Sequence, residues 1–116
     1  MDDMIGGGSM TYTRATRADG TEAFFDEQKA TVFAEDKEFN GNNFVSINTG
    51  RQHEHQALLR TASGAWILNT WSSWQGSLPT YQVIEKDEAH AWLMKNHHVS
   101  ELSPSEREAW EQANVI

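Results

Sequence analysis

The chain has 116 residues, with 17 acidic and 9 basic side chains, a formal net charge of −8 and no cysteine. This length predicts one domain with an ordinary hydrophobic core, and the lack of cysteine excludes disulfides and thiolate metal sites. The acidic balance disfavours binding to a nucleic-acid backbone. The acidic residues are spread along the chain rather than massed, which favours a solvated acidic surface over a site for a basic partner. No apolar run approaches the roughly 20 residues of a membrane span, so a cytoplasmic protein is expected.

The first nine residues are predicted to be a leader or an expression-derived linker. Within Met1–Ser9, the run Gly6–Ser9 has the composition of a flexible linker. A single domain is therefore expected over residues 10–116.

The next part of the chain favours short strands. Tyr12–Arg17 is weakly strand-like and is followed by a turn signal that ends in Gly20. Glu22–Asp26 and Ala30–Ala34 are interpreted as strands, although a helix through Glu22–Lys37 competes because Ala, Glu, Gln and Lys favour helix. The apolar residues do not recur with the helical period of 3.6 residues, which favours strands.

A strong turn signal, Asn40–Asn43, precedes the predicted strand Phe44–Asn48. Short strands separated by such signals predict an antiparallel meander.

The densest run of strand-forming residues lies between Ala57 and Ile84. Leu58–Thr61 and Ala65–Trp71 flank a short connection with Gly64, which predicts a hairpin. Thr80–Ile84 is the following strand. Alternation along the middle strand predicts two faces, one with Trp66, Leu68 and Thr70 and the other with Ala65, Ile67, Asn69 and Trp71.

Beyond Ile84 the pattern becomes helical. Apolar residues at helical spacing predict a helix from about Lys86 to Asn96. Ser103 as N-cap, Pro104 at the first position and Glu106 three residues after Ser103 predict the start of a second helix with a capping box. The expected fold is α+β: an antiparallel meander of four to six strands with one or two C-terminal helices packed on one face.

The segment His53-Glu54-His55 is a candidate metal site. Two histidines at alternate strand positions share a face and could reach one metal ion. A third ligand would have to come from His90, His97 or His98. Solvated or hydrogen-bonding histidine is the simpler interpretation. We therefore predict no metal, no cofactor and no catalytic residue, and keep a metal-assisted hydrolase using His53, His55 and a further His as the alternative.

The aromatic residues are the better candidates for function. Most tryptophans belong in a core, and Trp66 is expected there. Trp71, Trp74, Gln75 and Tyr81 are predicted to form a binding cleft or surface. The partner is expected to be a protein or a small-molecule ligand, with neither a membrane nor a nucleic acid favoured, and a homodimer stays open.

The sequence has no nucleophile elbow, P-loop, dinucleotide fingerprint or zinc-protease motif. Residues between Ala23 and Asn96 resemble a family of short bacterial proteins associated with plasmids, phages and other mobile elements. The residues that carry the resemblance are Phe25-Asp26, Lys29-Ala30, Asn48-Thr49-Gly50, Glu54-His55, Leu59-Arg60-Thr61, Gly64, Trp66, Leu68, Trp71–Ser77, Tyr81, Ile84, Glu88-Ala89, Trp92-Leu93 and Asn96. No activity is known for that group, so the resemblance implies an accessory protein and transfers no site. A small non-enzymatic binding protein is the expected function.

Overall fold

Residues 11–116 are described by the structure, a computed structural model, so the predicted leader Met1–Ser9 lies outside the described residues. The strands are β1 Thr13–Thr16, β2 Glu22–Phe25, β3 Thr31–Ala34, β4 Lys37–Phe39, β5 Phe44–Ser46, β6 Glu54–Arg60, β7 Trp66–Ser72 and β8 Thr80–Ile84. The α-helices are α1 Lys86–Lys95 and α2 Pro104–Asn114.

Six of the strands form one sheet in the order β2-β1-β8-β7-β6-β3, and β4 pairs with β5 in a separate ribbon. The α+β class and the mostly antiparallel sheet agree with the prediction. The predicted meander is wrong, because β1 runs parallel to β8 and β3 pairs with β6 across the intervening ribbon. Neither pairing joins consecutive strands, so a local turn signal in the sequence cannot predict either of them.

The segment Glu22–Lys37, for which the sequence leaves strands and a helix in competition, forms strands rather than an α-helix. Strands β2 and β3 are separated by a 3-10 helix at Glu27–Lys29, whose N-terminus is capped by the side chain of Asp26. Asp26 Oδ1 accepts a hydrogen bond of 3.0 Å from the amide of Gln28. This cap satisfies an amide that would otherwise lack a partner.

The predicted hairpin is confirmed as β6 and β7, joined by a turn in which Gly64 has φ +92°. Side chains with a Cβ rarely adopt that conformation, which explains glycine here. Strand β7 lies inside the sheet, and both predicted faces are present. Trp66 packs with the α1 side chains Trp92 and Leu93, whereas Ile67 packs with Leu59 on the opposite face.

The sheet is strongly curled. Phe25, at the end of β2, and Thr31, at the start of β3, are six residues apart, a link that spans at most about 21 Å. In a flat sheet the outer strands of six would lie about 24 Å apart, and the 3-10 helix shortens the link further. Ala30 of this link packs on the cluster that contains Ile67, so the face opposite the helices is concave.

Both C-terminal helices occur where the sequence predicts them. The predicted capping box of α2 is present, with the Ser103 hydroxyl accepting from the amide of Glu106 and the Glu106 side chain accepting from the amide of Ser103. Helix α1 packs on the sheet, whereas α2 has no buried residue. Among residues 11–116, no helix is long and apolar enough to cross a membrane.

Candidate functional site

The most organised polar group in the described chain is centred on Glu35, which follows β3 directly. Its side chain is 7% exposed. Oε1 accepts hydrogen bonds from the amide of Gln56 at 2.9 Å and from the hydroxyl of Ser46 at 2.5 Å. Oε2 lies 2.7 Å from Nδ1 of His55. Three donors from two strands, β5 and β6, therefore hold this carboxylate, as burial of a charge requires.

The carboxylate fixes the orientation of His55. A carboxylate only accepts hydrogen bonds, so Nδ1 of His55 carries the proton that it shares with Glu35. Nε2 is the ring nitrogen left for other interactions, and it makes no hydrogen bond within residues 11–116. A histidine held in this way can donate to an anion when protonated, or accept a proton when neutral.

Trp71 lies beside His55, because the two residues are directly opposite in the β6–β7 pairing. Their ring centroids are 5.6 Å apart with the planes inclined at 36°, and both residues are half-buried. Alternation along the strands places them on the concave face, opposite the side covered by α1.

These side chains line a depression that we call the His55–Trp71 groove. Its volume is about 560 Å³. The lining residues are Val32, Ala34, Glu35, Lys37, His55, Gln56, Ala57, Trp71 and Ser73. The groove therefore combines an aromatic wall, a short apolar floor and a few polar groups.

Lys37 places a positively charged side chain in the lining of the groove. It is the first residue of β4 and is exposed. Within residues 11–116 it makes no ion pair. Among the described residues that line the groove, Glu35 is the sole acidic one, and its carboxylate is already surrounded by donors.

The position of Glu35 is maintained by Asn96 at the end of α1. Asn96 is 3% exposed. Its Oδ1 accepts from the amide of Asp36 at 2.9 Å, and its amide group forms a two-way pair with the side chain of Asn48. Nδ2 also donates to the carbonyl of Trp92 at 2.8 Å. The residue after Glu35 is thereby tied to the helix.

The four residues predicted for binding lie at three places. Trp71 lines the groove. Trp74 is 63% exposed and packs against His53 with ring centroids 4.6 Å apart, while Gln75 is exposed in the same connection.

Tyr81, the fourth of these residues, packs on Phe25 inside the curl of the sheet, with ring centroids 5.8 Å apart. Burial raises the pKa of Tyr81, and the nearby carboxylate of Glu27 raises it further. Tyr81 packs against the hydrophobic cluster that contains Ile67, and it is not among the residues that line the His55–Trp71 groove.

The two histidines of the predicted metal site, His53 and His55, also have different neighbours. His55 contacts Glu35, and His53 precedes β6 beside Trp74. Each candidate third ligand has its own carboxylate neighbour: His90 lies near Glu106, His97 near Asp36 and His98 near Glu101. Within the described part of the chain, no group of three or more His, Cys, Asp or Glu residues is placed to hold a metal ion.

Glu35 and Lys37 were not singled out from the sequence. Their contacts depend on the pairing of β3 with β6, which joins residues about twenty positions apart. The one available signal was position, because Glu35 follows directly on a predicted apolar strand and a carboxylate there needs a partner.

A second depression, of about 420 Å³, lies between the β1–β2 edge and the β6–β7 turn. It is mainly apolar, and Lys29 and Arg17 supply its positive charge. Among the described residues that line it, Asp26 is the one carboxylate and is occupied in capping the 3-10 helix. No histidine is among those lining residues.

The chain matches no protein-family model, no curated protein and no solved structure. Function is therefore argued from the groove itself.

Proposed function

We propose that the protein is a small non-enzymatic binding protein and that the His55–Trp71 groove is its binding surface. The observation that carries the proposal is the half-buried Trp71 beside an oriented His55 in a groove of about 560 Å³. Ligand sites commonly combine an aromatic wall with a few placed polar groups at volumes of roughly 300–1,000 Å³.

The polar contacts favour binding over catalysis. Ser73 is the hydroxyl that lines the groove, and it donates to the carbonyl of His53 at 3.2 Å rather than to His55. Nucleophilic catalysis by serine needs a base within hydrogen-bond reach of the hydroxyl. The groove thus has an oriented imidazole without a nucleophile assembled on it.

The resemblance to proteins of bacterial mobile elements adds a biological setting to this proposal. It is carried most specifically by Trp71–Ser77, the segment that begins in the groove. We infer an accessory role, in which the groove engages a partner protein or a small ligand.

The experiment is a binding titration with a neutral fluorescent probe, N-phenyl-1-naphthylamine. Trp71→Ala should weaken its binding by about tenfold or more, since aromatic contacts dominate such sites. Trp74→Ala is the matched control, because Trp74 lies outside the groove and should leave the affinity within about twofold. Circular dichroism verifies that both variants are folded. Equal affinities for wild type and Trp71→Ala would remove the groove as the binding surface.

A metal-assisted hydrolase using His53, His55 and a further His is the second candidate. The observation in its favour is the Glu35–His55 pair, because histidine metal ligands commonly donate their other ring N–H to a carboxylate. We expect no stoichiometric metal after gel filtration. Zinc, iron or manganese retained by wild type and lost from both His53→Ala and His55→Ala would establish a metal site and favour the hydrolase instead.

A further inference from the structure

We propose that the ligand of the His55–Trp71 groove is a small organic anion, a flat apolar body that carries one carboxylate or sulfonate group. This inference rests on the proposed function and adds the chemical class of the ligand. The apolar body would lie against Trp71, and the anionic group would meet His55 and Lys37.

The apolar part of the groove has unused contact surface. Trp71 is half-buried and Val32 is 61% exposed, and both line the depression together with Ala34. Stacking on an aromatic side chain contributes about 0.5–1.5 kcal/mol beyond the area that it buries. A flat ring system therefore suits this wall.

The negative charge in the groove is already compensated. Glu35 accepts hydrogen bonds from Ser46, the amide of Gln56 and His55. With a side chain 7% exposed, its carboxylate offers little surface to a ligand. The acidic residue thus positions the imidazole rather than recognising a cation.

The positive groups are the ones that remain available. Lys37 makes no ion pair within the described residues. When its ring carries both protons, His55 donates from Nδ1 to Glu35 and keeps Nε2–H for a second acceptor. Hydrogen bonds from charged donors to a carboxylate or sulfonate are about twice as strong as neutral ones. In a chain with net charge −8, this groove is locally suited to an anion.

The test compares two probes with one aromatic skeleton. The anion is 8-anilinonaphthalene-1-sulfonate, and the neutral analogue is N-phenyl-1-naphthylamine. Lys37→Gln and His55→Gln should each weaken binding of the sulfonate by about three- to fivefold, the loss of a partly exposed charged contact. Neither variant should change the affinity for the neutral probe by more than about twofold.

Lys29→Gln is the matched control, because Lys29 is the lysine that lines the other depression. It should leave both affinities unchanged. If Trp71→Ala weakens both probes while Lys37→Gln and His55→Gln spare the sulfonate, the groove stands as a binding surface and its preference for anions is refuted. If Trp71→Ala affects neither probe, or Lys29→Gln has the effect expected of Lys37→Gln, both the anion and the groove are refuted.

Discussion

At the scale of single residues, the groove depends on side chains that are buried, polar and fully paired. Glu35 has three donors, and Asn96 bonds to Asp36, Asn48 and Trp92 at once. Removing one member of such a network leaves several buried groups without partners, and each unpaired group costs about 1–3 kcal/mol. The network therefore fixes where Glu35 and, through it, His55 can lie.

Asn96→Ala tests this network. The change removes the side-chain partner of the Asp36 amide and of the Asn48 side chain, so we expect it to lower the free energy of unfolding by about 2–4 kcal/mol. The Trp92 carbonyl keeps the hydrogen bond from the backbone amide of residue 96. Asn114→Ala is the matched control, since Asn114 makes the same contact four residues back, to the Trp110 carbonyl, at an exposed helix end. It should cost less than about 0.5 kcal/mol. Urea denaturation measures both, and equal losses would show that the network adds nothing.

A second residue-scale prediction separates two tryptophans. Trp66 is 5% exposed in the core, whereas Trp74 is 63% exposed. Trp66→Ala should cost about 3–5 kcal/mol, the usual loss for truncating a buried aromatic side chain, and Trp74→Ala should cost less than about 1 kcal/mol. Denaturant melts followed by fluorescence give both values. A large loss for Trp74→Ala would mean that its contact with His53 is structural.

At the scale of elements, the sequence predicts those features whose signals are local. Ser103, Pro104 and Glu106 predicted the start of α2 correctly, because capping is decided within four residues. Gly64 marked the β6–β7 turn for the same reason. The ribbon strand β4 was missed, since Lys37–Phe39 has no alternation and pairs only through its hairpin with β5.

The electrostatics of α2 lead to a prediction on pH. Burial acts to raise the pKa of Glu106, but hydrogen bonds from the Ser103 hydroxyl and amide outweigh it, with help from the charges of Arg60 and His90, and the net pKa is lowered from 4.5. A group whose pKa is lower in the folded state stabilises the fold above its unfolded pKa. That stabilisation is lost as the pH falls from about 4.5 through the folded value.

The measurement is the difference in unfolding free energy between wild type and Glu106→Gln. Glutamine can keep the capping box, so the difference reports the charge alone. Wild type should be the more stable protein at pH 5.5, and the difference should shrink as the pH falls below about 4.5. Glu108→Gln removes one carboxylate at an exposed position of the same helix and is the matched control. A difference that grows toward pH 3 would contradict the assignment.

At the scale of the whole molecule, the arrangement of strands determines the site, and it could not be predicted from the sequence. The groove exists because β3 joins the sheet beside β6, which brings Glu35 to His55. The concave face exists because the link after Phe25 is too short for a flat sheet. Both features join residues distant in sequence, so neither propensity nor periodicity specifies them. Trp71 lines the groove on the strand face that alternation predicts, and its role in binding stays a prediction.

The same arrangement predicts how stability is distributed over the molecule. Strands β6 and β7 carry Leu58 and Ile67, each at most 2% exposed, between two hydrophobic clusters. Helix α2 has no buried residue. Segments with few buried contacts open locally, at a free energy well below that of global unfolding. Amides in the interior of α2 should therefore be about a hundredfold less protected from hydrogen exchange than those of Leu58 and Ile67.

Native-state hydrogen exchange followed by NMR at increasing, sub-denaturing urea tests this distribution. The amides of Leu58 and Ile67 should exchange only by global unfolding, so their opening free energies should fall steeply with urea. Amides of α2 should exchange with little dependence on urea, as expected for local opening. Helix α1 is the matched control, because Trp92 and Leu93 pack on the sheet and should follow the strands. If α2 showed the protection and the urea dependence of α1, it would be part of the cooperative core, and its contacts through Glu106 would be stronger than its exposure indicates.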